Sequence, residues 1–344
     1  MTDTTEQTSR LEAFFRKRSD DPDSVKVTGY EPITGGYSRA MARVWVSDSS
    51  GERAYVVRSD PPPGQSILDT DRTEEWALLA VLHESGHIPM PAPRWFDPGG
   101  EELGSPSIVV DMLDAPSLVS FSRQCDEREH QGLAMRFSAL AAQVHTFDPS
   151  TLPEHIEVPD SWDAYIDSRI QKWVDAEQAN VWRNSMMRLI AAWLSANKPP
   201  PVPLTFVHGD FQIANVLVGK DGSFSLIDWE LAHIGDPRED IGWAALASVT
   251  QPPDLIAPGG DDFYRQYRDL TGLTEEQVNP TLTDYFIVLA AVSVFVPVIE
   301  QLAFVARGET TAMMVAYMSN AVAGMHEVML NAMARYDQAT GGAR

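Results

Sequence analysis

The sequence predicts an α+β fold in two lobes, with a β-rich N-terminal lobe and a mainly helical C-terminal lobe. Short apolar segments separated by turn residues occupy residues 25–58 and recur at APRWF and SPSIVVDML, and long amphipathic stretches dominate after Pro116. The length of 344 residues allows two compact units at about 150 residues per domain. The lobes are expected to join near Leu113, which divides the chain into 1–113 and 114–344.

The first half should contain five strands and two helices. Apolar residues at helical spacing predict a short helix over 5–18. Residues 25–58 hold three strand-like segments separated by Gly-containing turns, which predicts three antiparallel strands. A helix with one apolar face follows over 69–85, and the runs APRWF and SPSIVVDML predict two further strands.

The second half is predominantly helical. Amphipathic stretches predict helices at about 127–147, 161–178, 182–197, 239–249, 261–271, 282–306 and 310–336. Strand-like pieces interrupt them at VPLTFVHGD, NVLV and SFSLID. The longest apolar run, Tyr285 to Ile299, has 15 residues, fewer than the ~18 of a membrane span, and it contains Pro297. We expect a buried core helix there.

The charge balance limits the partners. The chain has 26 Lys and Arg residues against 49 Asp and Glu residues, a formal net charge of −23. Such a protein repels phosphate backbones and anionic lipid, so nucleic acid and membrane are not expected as main partners. The single cysteine, Cys125, excludes an intramolecular disulfide, and the polar N-terminus has no apolar core for a secretion signal. These features predict a reducing, cytoplasmic location.

The segment with the clearest chemical pattern reads FVHGDFQIANVLV and is followed by SLIDWE. Asp210 follows a strand-like piece, Asn215 comes five positions later, and Asp228 lies at the end of the next apolar strand. Phosphoryl transfer needs a carboxylate that accepts or orients the proton of the attacking hydroxyl, and oxygen ligands that hold Mg²⁺ against nucleotide phosphates. The alternative is that Asp210 and Asn215 cap a turn and Asp228 merely ends a strand.

Three motifs in this order, HGDFQIAN, LIDWE and GDPRED, resemble the aminoglycoside phosphotransferase family, the small-molecule branch of the protein-kinase-like fold. The resemblance covers about 11–336, and its specificity lies mainly in 206–240. It implies a bilobal protein-kinase-like fold, with a nucleotide-binding first lobe and a catalytic, acceptor-binding second lobe. Asp236 and Asp240, in GDPRED, match a segment that braces the site.

The resemblance also implies roles for the residues of the central motif. Asp210 matches the catalytic base, and Asn215 and Asp228 match the metal ligands. His208 matches a residue that supports the loop by packing and hydrogen bonding. ATP or GTP would be the co-substrate and Mg²⁺ the cofactor.

In the first lobe, Arg58 stands where a kinase has lysine on its third strand. Arg58 remains cationic and can fork to two phosphate oxygens, although Arg and Lys are not interchangeable. Glu75 is the best match for its carboxylate partner, with Glu74 as an alternative. A surface position on the strand is the other possibility for Arg58. The VVR-then-PPG arrangement and IDWELAHIGDP resemble the subgroup of the family whose members accompany acyl-CoA dehydrogenases.

Two further segments are candidates for nucleotide contacts. The turn ITGGYSRA lacks the spaced G-x-G-x-x-G of protein kinases, so a plain hairpin turn is an alternative. Its candidate phosphate contacts are Gly35, Gly36 and Ser38. The segment joining the lobes should contact the adenine through backbone groups of Asp111, Met112 and Leu113, although Met112 could equally be an ordinary core residue.

A competing motif occurs at His83 to His87, which reads HESGH and satisfies the zinc-protease pattern H-E-x-x-H. That pattern requires both histidines on one face of a continuing helix. Gly86 lies between them and Pro89 follows, so the helix is expected to end there. A metalloprotease is therefore disfavoured.

The sequence thus predicts an Mg²⁺-dependent enzyme that transfers the γ-phosphate of ATP or GTP to a hydroxyl of a small molecule. The negative charge favours a polycationic acceptor such as an aminoglycoside, and the subgroup resemblance favours a hydroxyacyl compound, including a hydroxyacyl-CoA thioester. We place the aminoglycoside narrowly first. A nucleotide-binding pseudokinase is the alternative from a different class, because of Arg58 and the short turn.

Overall fold

The structure, a computed structural model, describes residues 4–33, 40–60, 71–179, 184–308 and 313–341. It divides the chain into two compact units. The first contains Met1–Ala115 and Gly219–Asp221, and the second contains Pro116–Val218 and Gly222–Arg344. This boundary lies two residues beyond the one expected at Leu113, and the short segment 219–221 belongs to the first unit.

The first unit consists of one sheet and two helices. In chain order they are α1 (Thr4–Arg16), β1 (Lys26–Ile33), β2 (Ala40–Asp48), β3 (Gly51–Ser59), α2 (Arg72–Ser85), β4 (Pro93–Asp97) and β5 (Ser107–Asp111). The strands form a five-stranded sheet in the order β1-β2-β3-β5-β4, and every neighbouring pair is antiparallel. The predicted strands and helices of this half are confirmed.

The sheet forms because its strands alternate apolar and polar side chains. Along β2, Val44 and Val46 are buried, whereas Arg43 between Ala42 and Val44 is exposed. Helix α1 covers the buried face, with the ring of its Phe15 stacked on Tyr55 of β3 at a centroid distance of 5.1 Å. Burial of this aromatic face holds α1 to the sheet.

The second unit is mainly helical. Its helices are α3 (Leu118–Ser122), α4 (Glu127–His145), α5 (Trp162–Ala179), α6 (Ser185–Ala196), α7 (Arg238–Ser248), α8 (Ile256–Thr271), α9 (Pro280–Ala306) and α10 (Met313–Thr340). Four short strands form two antiparallel pairs, β6 (Thr205–Val207) with β9 (His233–Gly235), and β7 (Val216–Val218) with β8 (Phe224–Leu226). The α+β fold class is confirmed, whereas α3 and β9 were not predicted.

Helix α9 lies at the centre of the second unit. Its segment Pro280–Glu300 has a mean hydropathy of 2.2 and is long and apolar enough to cross a membrane. However, 78% of its apolar 18-residue stretch is buried inside the protein. The predicted buried core helix is therefore confirmed. Helix α7 packs closely on it, because a Cβ at Gly242 would lie only 2.4 Å from the carbonyl carbon of Phe286. Only glycine permits this approach.

A buried polar network ties three helices of the second unit to the end of β6. Asp240 of α7 accepts hydrogen bonds from the backbone N–H groups of His208 (2.8 Å) and Gly209 (2.9 Å). It also accepts a bond from Nε2 of His145 on α4 at 3.0 Å. Because an ionised carboxylate only accepts, Nε2 carries the proton, and Nδ1 of His145 accepts from the hydroxyl of Tyr267 on α8 at 2.6 Å.

We predict that Asp240→Asn destabilises the protein in a pH-dependent way. Burial raises the pKa of Asp240, but the hydrogen bonds that it accepts from His145 and from the backbone N–H of His208 outweigh burial, so the pKa lies below its usual value. The carboxylate therefore stabilises the fold fully above its unfolded pKa of about 3.9, and this stabilisation is lost as the pH falls through the folded-state pKa. We expect urea unfolding at pH 7 to show a loss of about 3 kcal/mol.

The difference between wild type and Asp240→Asn should shrink when the same unfolding curves are measured below pH 4. The exposed carboxylate of Asp262 pairs with Arg265 on the same helix, and Asp262→Asn should change stability by less than about 0.5 kcal/mol. A deficit for Asp240→Asn that is equally large at both pH values would contradict the role of its charge.

Candidate active site

The loop between β6 and β7 carries the central motif. Strand β6 ends at Val207, and the chain turns through Gly209, which has a φ of +79°. A Cβ at this position would lie 2.2 Å from the carbonyl oxygen of Leu231, so the close approach of the two loops requires glycine as well. Since Asp240 accepts hydrogen bonds from the N–H groups of His208 and Gly209, the backbone just before Asp210 is fixed.

His208 links this loop to the end of β8. Its imidazole is buried, and Nε2 donates to the carbonyl oxygen of Ile227 at 3.0 Å. Its Nδ1 accepts the backbone N–H of Asp210 at 3.2 Å. Burial lowers the pKa of His208, which keeps the ring in the neutral form that this pair of bonds requires. These are the contacts expected of a residue that supports the loop.

The carboxylate of Asp210 is held by three side chains. Asn215 donates from Nδ2 to Oδ2 at 2.7 Å, and Gln212 and Trp243 donate to Oδ1 at 2.5 and 2.6 Å. Burial, followed by the negative charge of Asp228, raises the pKa of Asp210 to about 7 despite these hydrogen bonds. A partly exposed carboxyl with a pKa near neutrality is suited to take part in proton transfer.

The β7–β8 pair brings Asn215 and Asp228 to the same end of a small hairpin. Val216 pairs with Leu226, and the N–H of Ile227 donates to the carbonyl of Asn215 at 2.9 Å, so Asp228 follows directly. Among the described residues, Asp228 is the single non-glycine residue with positive φ, at +72°. Such a conformation costs about 1–3 kcal/mol and is found most often at functional sites.

These residues provide the donor atoms that a hard cation prefers. The amide nitrogen of Asn215 faces Asp210, so its oxygen is left for another partner, and Asp228 adds a carboxylate. Oxygen ligands of this kind fit Mg²⁺. Within the described ranges, no group of three or more His, Cys, Asp and Glu side chains lies close enough to hold a metal ion.

The zinc-protease alternative finds no support in the structure. Helix α2 ends at Ser85, and Gly86 caps it in the left-handed conformation with a φ of 62°. His87 therefore lies beyond the helix, and it and His83 are both exposed. The two histidines do not share a helix face.

The loop after Asp228 is fixed by a second buried cluster. Nδ1 of His233 donates to the carbonyl oxygen of Leu231 at 2.8 Å, while its Nε2 lies 2.8 Å from the hydroxyl of Tyr165. Burial, then the charge of Arg169, lowers the pKa of His233 to about 3, so the ring is neutral. Burial raises the pKa of the neighbouring Glu239 to about 7, although the Arg169 charge opposes this.

The GDPRED segment contains a buried ion pair beside this cluster. Arg238 donates from Nε and Nη2 to the two oxygens of Asp236 at 2.9 and 2.6 Å, and Trp162 donates to the same carboxylate at 2.6 Å. Arg238 also reaches the carbonyl oxygens of Pro200 and Gln277. Asp236 thus fixes the start of α7, while Asp240 fixes the loop.

In the first unit, the expected pair between Arg58 and Glu75 is present, with Nη1 and Oε1 separated by 3.2 Å. Both side chains are buried, so Arg58 is not a surface residue, and the alternative partner Glu74 is exposed. Arg72 was missed. It donates to the other oxygen of Glu75 and, from Nε, to Asp60 at 2.7 Å. Its position three residues before Glu75 on α2 was the available signal.

The segment from Asp111, the last residue of β5, to Leu113 was expected to offer backbone groups to an adenine. The N–H of Asp111 donates to the carbonyl of Ala92 at 2.9 Å, and that of Met112 donates to Ala54 at 3.0 Å. The Asp111 carboxylate is taken by Arg94 in a bidentate pair. Leu113 is the member of this trio whose N–H makes no hydrogen bond within the described part of the chain.

The candidate lid residues Gly35, Gly36 and Ser38 lie outside the described residues. Sequence reasoning also missed two side chains that touch Asp210, namely Gln212 and Trp243. Trp243 lies three residues after Asp240, one turn along α7, and this spacing was the available signal.

The chain is similar to two curated proteins that carry acyl-CoA dehydrogenase names. It is 28% identical to mouse acyl-CoA dehydrogenase family member 10 over 247 residues, which cover 68% of this chain and 21% of the relative. It is 25% identical to chicken acyl-CoA dehydrogenase family member 11 over 215 residues, covering 60% of this chain and 27% of the relative. The chain thus spans about a quarter of the length of these relatives.

Solved structures share its fold. A candidate aminoglycoside phosphotransferase from Ralstonia eutropha superposes with a TM-score of 0.69 at 15% identity, covering 95% of this chain and 98% of that one. A thermostable mutant of aminoglycoside phosphotransferase APH(4)-Ia, in ternary complex with AMP-PNP and hygromycin B, gives a TM-score of 0.63 at 14% identity, with the same coverage. Both likenesses establish the kinase-like fold.

A family model covers most of the chain. Residues 29–275 match the phosphotransferase enzyme family, and this range includes the HGDFQIAN, LIDWE and GDPRED motifs. The predicted resemblance, including its acyl-CoA dehydrogenase subgroup, is confirmed. The chain belongs to the phosphotransferase enzyme family.

Proposed function

We propose that this protein is an Mg²⁺-dependent phosphotransferase that moves the γ-phosphate of ATP or GTP to a hydroxyl group of a small molecule. The observation that carries the proposal is the Asp210 carboxylate, fixed by Asn215 and close enough to Asp228 for their charges to interact. A carboxylate base beside an amide and a second carboxylate is the set of groups that phosphoryl transfer to a hydroxyl requires.

Asp210 would act on the acceptor. Its Oδ1 already accepts two hydrogen bonds, from Gln212 and Trp243, whereas Oδ2 accepts one, from Asn215. The remaining lone pair on Oδ2 would receive the proton of the acceptor hydroxyl. The acceptor oxygen then bonds to the γ-phosphorus, the bond to the bridging oxygen breaks, and the nucleoside diphosphate leaves.

Asn215 and Asp228 would hold Mg²⁺ through their side-chain oxygens, and Arg58 would contact nucleotide phosphates. When bound, Mg²⁺ would neutralise charge on the phosphate oxygens. The guanidinium of Arg58 is buried beside Glu75, which limits the orientations it can take. The intact set Asp210, Asn215 and Asp228 argues against a pseudokinase.

Two arguments favour different acceptor molecules. The net charge of −23 would attract a polycation, and the complex of APH(4)-Ia with hygromycin B is an example of such a ligand on this fold. The similarity to acyl-CoA dehydrogenase family members instead favours a hydroxyacyl compound. We place an aminoglycoside first and a hydroxyacyl-CoA second.

Asp210→Asn should abolish transfer while leaving nucleotide binding nearly unchanged. The amide cannot accept the hydroxyl proton, so kcat should fall about 10²–10⁴-fold. Release of ADP from MgATP, with kanamycin and a hydroxyacyl-CoA assayed side by side, measures the loss, and calorimetric titration with MgADP measures binding. An Asp210→Asn enzyme with wild-type turnover would remove Asp210 from the mechanism.

Asp228→Ala should weaken nucleotide binding mainly when Mg²⁺ is present. The substitution removes a carboxylate ligand of the cation but no proposed contact to the nucleotide itself. We expect the Kd for MgADP to rise about tenfold or more and the Kd for ADP in EDTA to change less than about twofold. Equal losses with and without Mg²⁺ would contradict the assignment of Asp228 as a metal ligand.

Arg58→Ala should raise the KM for MgATP or lower kcat, whereas Arg58→Lys should retain part of the activity because it keeps the charge but not the fork. Arg53 lies on the same strand, is exposed and pairs with Asp48, so Arg53→Ala serves as the matched control. Kinetic constants that are unchanged in Arg58→Ala would leave the phosphate-binding cation unidentified.

A further inference from the structure

Trp243 is the aromatic side chain that donates a hydrogen bond to the Asp210 carboxylate. Its indole Nε1 donates to Oδ1 at 2.6 Å, a short distance for a bond from a neutral donor to a carboxylate. The side chain is partly exposed, and its buried part packs against the core of the second unit. An indole has a donor and no acceptor, so it can only hold the carboxylate and cannot take its proton.

Helix α7 holds the loop that carries Asp210 at two points, through one residue that accepts hydrogen bonds and one that donates a hydrogen bond. Asp240 accepts the backbone N–H groups of His208 and Gly209, and Trp243, three residues later on the same helix, donates to the side chain of Asp210. The close contact of Gly242 with α9 fixes the helix between these two residues. Both the backbone of the loop and the carboxylate of Asp210 are therefore held by helix α7.

The second donor to Oδ1 depends on the end of the same helix. Gln212 donates from Nε2 to Oδ1, and its own amide oxygen accepts a bond from Nε2 of Gln251 at 3.0 Å. Gln251 lies three residues after the end of α7, and its N–H donates to the carbonyl of Ala247 on that helix. Both donors to Oδ1 are therefore anchored through α7.

We infer that Trp243 is a positioning residue for phosphoryl transfer: by binding Oδ1 of Asp210, it leaves the open lone pair of Oδ2 to the acceptor hydroxyl. The inference rests on the proposed function of Asp210. It assigns Trp243 an effect on kcat, because it holds a group that acts on the acceptor, and no effect on nucleotide affinity. Misplacement of a reacting group by about 1 Å can cost 10²-fold in rate.

The test replaces Trp243 by Phe, which removes the N–H, and by 3-benzothienylalanine, which keeps the shape of the indole and removes only the donor. The control is Trp193→Phe, because Trp193 also donates to a carboxylate, Asp337, at 2.9 Å elsewhere in the same unit. With MgATP and either kanamycin or a hydroxyacyl-CoA as acceptor, both Trp243 variants should lose about 10- to 100-fold in kcat. Their KM for MgATP should stay within about twofold of the wild-type value. Trp193→Phe should retain wild-type kcat.

A double-mutant cycle identifies the partner. In an Asp210→Asn background, Trp243→Phe should lower the residual rate by less than about twofold, because the group it positions is already disabled. Wild-type kcat in the benzothienylalanine enzyme, an equal loss in Trp193→Phe, or a full further loss in the Asp210→Asn background would each overturn the inference.

Unfolding equilibria of the wild type, Asp210→Ala, Trp243→Phe and the double variant separate this inference from the proposed function. If the wild type released no ADP from MgATP with any acceptor, the proposed function would fail, and the cycle would be read from stability alone. Their unfolding equilibrium constants should then be coupled by about tenfold, because Asp210→Ala removes the acceptor and Trp243→Phe removes the donor of the same hydrogen bond. Additive effects on unfolding would overturn the inference by themselves.

Discussion

A single buried carboxylate, that of Asp240, fixes the geometry on which the candidate site depends. It accepts hydrogen bonds from two backbone N–H groups of the turn before Asp210 and from Nε2 of His145, so its charge is compensated by hydrogen bonds. Both N–H groups of the turn, which contains Gly209 in the left-handed conformation, donate to the side chain of Asp240 and not to a backbone carbonyl. Loss of this carboxylate would leave buried donors without partners.

Two features of the site next to that turn destabilise the folded protein. Partial burial and the charge of nearby Asp228 raise the pKa of Asp210, and Asp228 itself has a strained positive φ. A fold optimised for stability alone would avoid two interacting carboxylates and a left-handed aspartate in one place. A divalent cation between oxygen ligands would offset the repulsion, which is the role that the proposed function gives to Mg²⁺.

Local sequence patterns predicted much of the fold and part of the site. Alternation and helical spacing act over a few residues, so the strands of the first unit and the long helices were predictable. The motif HGDFQIAN places Asp210 and Asn215 in one loop, because a strand ends just before Asp210 and only four residues separate the two side chains. The core helix at Tyr285–Ile299 followed from its length and apolar composition.

The remaining features depend on contacts between segments distant in sequence. Strand β9 has three residues and forms only because β6 lies beside it, and α3 is a single short turn. Trp243 meets Asp210 across 33 positions, and His145 meets Asp240 across 95. Neither contact can be predicted from helical or strand periodicity, because that pattern relates only residues that are a few positions apart. Arg72 was within reach of local reasoning, but a cationic residue in the first turn of α2 was not considered as a partner of Glu75.

The central claim, that Asp210 and its neighbours transfer phosphate, is tested most directly by following the label of [γ-³²P]ATP. The protein is incubated with the labelled nucleotide, Mg²⁺ and a small-molecule extract of cells, and the products are separated by chromatography. The account predicts that label moves from ATP into an organic phosphate ester at a rate that depends on Asp210. Label that stays on ATP, although the protein binds the nucleotide, would contradict it.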